Sequence, residues 1–112
     1  MTSPSRIEVL MELELTNADS GGRRTVEVGD SLSIALAESP TTGYRWYADI
    51  DSTALRQTGD EFEVSTDRRG AAGTRRLTFT TLRPGATPLK LVKRRSWETT
   101  VVDEFTLDLD AH

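Results

Sequence analysis

With 112 residues, 36% hydrophobic and 29% charged, the chain fits one globular domain able to bury a core without metal or disulfide staples. It has no cysteine and one histidine, His112 at the last position, which excludes thiol chemistry and leaves no held imidazole for a Ser-His-Asp triad or a zinc site. The net charge of −4 argues against nucleic acid as a general partner, and no apolar run approaches the roughly 20 residues of a membrane span.

In chain order, the opening Met-Thr-Ser-Pro-Ser-Arg-Ile-Glu-Val has no apolar signal-peptide core. Residues 1–5 are expected to be disordered. The expected location is cytoplasmic if the chain is complete, and periplasmic or secreted if a signal peptide has been removed. Two-residue alternation, the signature of half-buried strands, then dominates. Residues 7–15 put Ile7, Val9, Met11, Leu13 and Leu15 on one face and Glu8, Glu12 and Glu14 on the other. A short strand over 24–28 carries Val26 and Val28. After a Val-Gly-Asp turn, Leu32, Ile34 and Leu36 mark the next strand. The chain resumes in extended form over 45–50, with Trp46, Ala48 and Ile50 sharing a face.

Residues 51–60 are weakly patterned and predict only a short helical turn over 53–56. Strands are expected over 61–66, 74–82 (with Leu77 and Phe79), 89–93 and 101–109, where Val101, Phe105, Leu107 and Leu109 face one way. The Arg-Pro-Gly-Ala-Thr-Pro cluster at 83–88 reads as a turn. Seven or eight short strands without a helix predict an all-β, immunoglobulin-like β-sandwich of antiparallel strands, forming a single domain over residues 1–112.

The 18 acidic residues mostly alternate with apolar ones, so they read as solvated strand faces rather than as paired carboxylates for acid–base work. No enzyme, cofactor or metal is expected. Three loops carry the unusual residues instead: Glu-Ser-Pro-Thr-Thr-Gly-Tyr-Arg-Trp at 38–46, Asp-Arg-Arg-Gly-Ala-Ala-Gly at 67–73 and Arg-Arg-Ser-Trp-Glu-Thr at 94–99. Alternate connections of a sandwich emerge at the same end, so these loops can form one surface. Pro40 stiffens the first loop, Thr41 and Thr42 offer hydroxyls, and Gly43 permits positive φ or close backbone approach. Tyr44 and Trp46 lead into the following strand and root the loop. Trp97 is a large rigid anchor, and Arg95 can donate several hydrogen bonds and stack. Gly70 and Gly73 would let the middle loop lie flat against a partner. Taken singly, the first loop reads as a simple turn, 67–73 as a flexible tip, and Trp97 as readily as a plug in the sandwich end as a binding residue.

The three loops together resemble those of the chagasin family, inhibitors of papain-like cysteine proteases, and the resemblance covers nearly the whole chain. The family pattern Asn-Pro-Thr-Thr-Gly-Tyr/Phe corresponds to Ser39-Pro40-Thr41-Thr42-Gly43-Tyr44. Gly-x-Gly-Gly corresponds to Gly70-Ala71-Ala72-Gly73, and Arg-Pro-Trp to Arg95-Ser96-Trp97. The resemblance implies a non-covalent inhibitor that pushes these three loops as a wedge into a papain-like protease cleft, acting as a monomer. Each motif carries one substitution: Ser39 for asparagine, Ala72 for glycine and Ser96 for proline. Ala72 is expected to cost about 1 kcal/mol if its position needs positive φ. Ser96 is expected to leave its loop looser by about 0.4–1 kcal/mol.

Charge adds an expectation of its own. Four arginines and one aspartate lie in 67–76, and Lys93, Arg94 and Arg95 face only Glu98 in 93–98, while the whole chain is net negative. A basic loop end on an acidic body would speed encounter with an acidic partner. Two other readings of the residues stay open: a non-inhibitory protein-binding module, and a carbohydrate-binding module in which Tyr44, Trp46 and Trp97 form a stacking platform.

Overall fold

The computed structural model describes residues 12–64 and 73–112. Among the described residues eight strands follow in order: β1 (Glu12–Thr16), β2 (Gly22–Val26), β3 (Ser31–Glu38), β4 (Tyr44–Asp49), β5 (Leu55–Val64), β6 (Gly73–Thr81), β7 (Gly85–Arg95) and β8 (Asp103–Ala111). Two single-turn 3-10 helices, Asn17–Asp19 and Pro40–Thr42, sit between strands. The strands form two four-stranded sheets, ordered β1-β3-β6-β5 and β2-β8-β7-β4. This is the expected all-β sandwich.

Alternation builds its core. Leu32, Ile34 and Leu36 of β3 and Leu77 and Phe79 of β6 point inward from one sheet. Leu89 and Leu91 of β7 and Phe105, Leu107 and Leu109 of β8 meet them from the other. Trp46 from β4 joins the same cluster. Each such side chain contributes on the order of 1.5–3 kcal/mol by leaving water.

The sheets are mixed rather than uniformly antiparallel. β1 runs parallel to β3, and β2 parallel to β8, while the β3–β6, β5–β6, β4–β7 and β7–β8 ladders are antiparallel. The cause is topological. After β1 the chain crosses to the other sheet as β2 and returns as β3, so β1 and β3 reach neighbouring places pointing the same way. Alternation records which residues face the core but not the direction of a neighbour.

Other boundaries move for physical reasons. Strand β5 starts at Leu55, six residues before the expected 61. It is an edge strand with most of its residues solvent-facing and a register shift between Gln57 and Gly59, so the two-residue signal is lost. Ahead of it lies a turn at 52–54, closed by the Ala54 and Leu55 N–H groups on the Asp51 carbonyl, rather than helix through 56. Val28 is exposed in the turn after β2, and Val101 is exposed in the connection before β8. In β1, Leu15 is buried and Leu13 packs against the core; the expectations for residues 1–5 and 7–11 fall outside the described residues.

Candidate functional site

The register sends three connections to the same end. In one sheet Gly73, the first residue of β6, pairs with both Glu38 at the end of β3 and Val64 at the end of β5. In the other, Tyr44 at the start of β4 pairs with Arg95 at the end of β7, and Lys93 pairs with Asp103 at the start of β8. The strand ends that bracket 39–43, 65–72 and 96–102 therefore lie at one end of the sandwich. Gly70, Ala71 and Ala72 lie in 65–72, outside the described residues, as do Arg68 and Arg69. Gly73 has a requirement of its own: a Cβ there would run into the Phe62 ring and the Glu63 carbonyl, so only glycine lets β5 and β6 close here.

The 39–43 connection is a tight 3-10 turn. Pro40 stands first in it, where a proline's fixed φ suits helical backbone and its missing N–H is not needed. The Ser39 carbonyl accepts from both the Thr42 N–H (3.1 Å) and the Thr42 hydroxyl (2.8 Å). That hydroxyl in turn accepts from the Tyr44 N–H at 3.2 Å. Thr42 thus staples the loop through its hydroxyl, and both Thr41 and Thr42 remain exposed. Gly43 adopts φ +82°, and a Cβ on it would stand 3.1 Å from the Trp97 ring. Both expected reasons for a glycine, positive φ and close approach, hold there.

Arg95 joins the first loop to the third. Its Nε donates to the Thr42 carbonyl at 3.1 Å. Its guanidinium carbon lies 4.2 Å from the centre of the Tyr44 ring and 5.9 Å from that of Trp97. The Glu98 N–H donates to the Arg95 carbonyl (3.1 Å), so residues 95–98 form a turn with Ser96 and Trp97 at its tip. The Val102 N–H on the Lys93 carbonyl (2.9 Å) closes the connection behind it. Trp97 is 71% exposed, a large ring standing on Gly43 and otherwise facing water. With so much of its ring outside the core, Trp97 does not plug the end of the sandwich.

A residue that motif reading passed over carries the base of the site. Glu38 is 3% exposed although charged. Its Oε1 accepts from the Trp46 N–H at 3.0 Å, and its two oxygens take three contacts from Arg75 at 2.7–3.2 Å. Arg75 also donates to Asp60 at 2.9 Å, and Asp60 pairs with Arg45 at 3.1 Å. The hydrogen bonds to Glu38 push the Arg75 guanidinium further up from its already high ordinary value, against the opposing effect of burial. The network ties β3, β4, β5 and β6 together at the root of the loops. The signal was present in the alternation: Glu38 follows Leu32, Ile34 and Leu36 at the next inward position.

Two expectations change in this light. Arg75 and Arg45 are engaged by Glu38 and Asp60, so they add less free positive charge to the loop end than their count suggests. Trp46 is 2% exposed, with its indole N–H on the Ala37 carbonyl at 3.0 Å, so it roots the loop and cannot serve in a sugar-stacking platform with Trp97 and Tyr44.

The family model described as Chagasin family peptidase inhibitor I42 matches residues 25–109. The chain belongs to the chagasin family. That is a family of peptidase inhibitors, not of enzymes. Over 93 residues this chagasin-family chain is 28% identical to chagasin of Trypanosoma cruzi, covering 78% of the chain and 84% of that protein. The solution structure of amebosin superposes with a TM-score of 0.71 at 27% identity, covering 91% of this chain and 97% of that one. The cysteine protease inhibitor EhICP2 from Entamoeba histolytica superposes with a TM-score of 0.83 at 20% identity, covering 91% and 96%, a likeness of fold. A further fold relative, PbICP-C in complex with falcipain-2, gives 0.63 at 15% identity, covering 91% and 99%.

Proposed function

We propose that this chain is a tight, reversible, non-covalent inhibitor of papain-like cysteine proteases, acting as a monomer through a wedge of the 39–43, 65–72 and 96–102 connections. The observation that carries the reading is the Arg95 joint. One guanidinium ties the Thr42 carbonyl, the Tyr44 ring and the Trp97 turn into a single body, so two of the three loops are fixed relative to each other before any partner arrives. A surface ordered in advance does not have to lose that freedom on binding. Such a wedge needs shape and stacking rather than nucleophiles, in keeping with a chain that has no cysteine and only a terminal histidine.

Within the wedge, Pro40 and Gly43 shape the first loop, and Thr41 and Thr42 present its short polar edge to the cleft. Tyr44 supports Arg95 from beneath, and Ser96 and Trp97 form the projecting tip of the third loop. Gly70, Ala71, Ala72 and Gly73 are assigned to the opposite flank. The relatives support this reading: the chain belongs to an inhibitor family, and a protein of the same fold has been solved in complex with falcipain-2.

Inhibition of papain, followed by rapid dilution, tests it. The expected result is sub-micromolar inhibition with full recovery of papain activity and an uncleaved, unmodified inhibitor by intact mass. No inhibition of papain or of several cathepsins at micromolar concentration would overturn the reading.

A further inference from the structure

Arg94 stands directly opposite Arg45 in the β4–β7 ladder, a placement that repels. The two cations resolve this differently. Arg45 turns to Asp60. Arg94 lies with its guanidinium carbon 4.4 Å from the centre of the Tyr47 ring and donates through one nitrogen, Nη1, to two backbone carbonyls, those of Arg95 and Glu98, each at 3.2 Å. These are the first and last residues of the turn that carries Trp97. Each carbonyl has a second lone pair, so the Arg95 oxygen accepts from Arg94 and from the Glu98 N–H together.

We propose that Arg94 is a positioning residue of the inhibitory surface: it clamps both ends of the 95–98 turn in the free protein and so holds Trp97 in its binding orientation. The proposal rests on the protease-inhibitor reading above. Ser96 occupies the second position of this turn, where a proline would fix φ and where serine imposes no such limit. Within the turn only the Glu98 N–H to Arg95 carbonyl bond and a long Arg95–Glu98 ion pair (3.8 Å) oppose that freedom, and Arg94 adds to them from outside it. Charge-assisted bonds to two carbonyls, from a planar group seated on an aromatic ring, supply the added order. A lysine at the same position carries the charge but not the flat, stacking fork, so charge alone does not reproduce the clamp. Arg95 fixes the turn to the first loop, while Arg94 fixes its internal shape.

The test compares wild type with Arg94→Lys, Arg94→Ala, Ser96→Pro and Arg94→Ala/Ser96→Pro. Papain inhibition constants are measured for each, with 15N relaxation of residues 95–98 and of the Trp97 indole in the free proteins. Arg94→Ala is expected to weaken inhibition about tenfold and to lower the order parameters of the turn. Arg94→Lys should lose nearly as much. In the Arg94→Ala background, Ser96→Pro should restore most of both losses, read against Ser96→Pro alone.

Wild-type inhibition by Arg94→Lys would overturn the clamp in favour of a direct charge contact with the protease. Unchanged turn dynamics in Arg94→Ala would also overturn it, as would restored order without restored inhibition in the double variant. Thermal melts establish that each variant is folded. If Arg94→Ala does not fold, Arg94→Lys, which keeps the aliphatic stem, carries the same comparison with and without Ser96→Pro. If the wild type fails to inhibit papain-like proteases, the functional reading falls, while the relaxation data still decide whether Arg94 orders the turn.

Discussion

At the end of the sandwich where β2 turns into β3 and β6 into β7, polar groups close on one another. The buried Thr81 hydroxyl donates to the Glu27 carbonyl and accepts from the Gly29 N–H, and the Asp30 carboxylate takes the Glu27 N–H. At the opposite end the bonds are as specific, but they join one connection to another: Arg95 to Thr42 across two loops, and Glu38 to Trp46 and Arg75 across two sheets. One end terminates strands. The other holds a shape and leaves Trp97 standing in water. Substitutions at the first end should therefore be read in stability alone, and those at the second in binding, in proportion to their distance from the root.

The largest expected effect belongs to the tip. Trp97→Ala should cost roughly 2–4 kcal/mol of protease binding, as truncation of a central aromatic anchor does. Because the ring is mostly exposed in the free protein, the melting temperature should hardly move. Equal inhibition by variant and parent, in a titration against papain, would remove Trp97 from the interface and with it the contrast between the two ends.

Next comes the root. Glu38→Gln keeps the shape of the side chain and one acceptor oxygen, but it removes the charge facing Arg75 and puts an amide N–H₂ where the second oxygen accepted from Nε and Nη2, so Asp60 is the one carboxylate left to Arg75. Breaking an enclosed ion pair from one side is costly; with Asp60 still in place the loss should be about 2–3 kcal/mol of stability, measured by urea unfolding. Inhibition by the protein that remains folded should weaken less than it does for Trp97→Ala, because the Arg95 joint and the Thr42 staple survive. A stability loss below about 0.5 kcal/mol would mean that the network orders nothing at the root.

The tip was far more legible in the sequence than the root, for a physical reason. Loop residues such as Pro40, Gly43 and Trp97 declare themselves by type, since each has a narrow conformational or packing use. Gly43 in particular is used as its identity suggests, at φ +82° beneath the Trp97 ring. The core strands were equally plain, because burial on one face writes Leu32, Ile34 and Leu36 at every second place. Glu38 was passed over because its partner Arg75 is 37 residues away in sequence, and only the β3–β6 register brings the two together. Motif spacing singles out Arg95, whereas Arg94 enters the sequence reading only as a charge. One residue of offset sends them to opposite faces of β7, so one reaches Tyr44 and Thr42 and the other Tyr47 and the turn carbonyls. Strand β5 was shortened in the reading because an exposed edge with a register shift carries no alternation to read.

The smallest predicted effect, at the far end, is the one that keeps the comparison accountable. Thr81→Val preserves volume and β propensity and removes only the hydroxyl, which is buried against the Glu27 and Asp30 carbonyls. The Asp30 carbonyl keeps the Thr81 N–H, and the Gly29 N–H keeps the Thr81 carbonyl, so the Glu27 carbonyl, which still accepts from the Asp30 N–H, is the group left short. A loss of about 1 kcal/mol in unfolding free energy is expected. The inhibition constant should stay within a factor of two, since the β3 and β6 ladders insulate the loop end from a change in one turn. If Thr81→Val weakened inhibition as much as it weakened the fold, the two ends would be coupled through the sheets, and the loop end could no longer be treated as a surface whose shape is set by its own bonds.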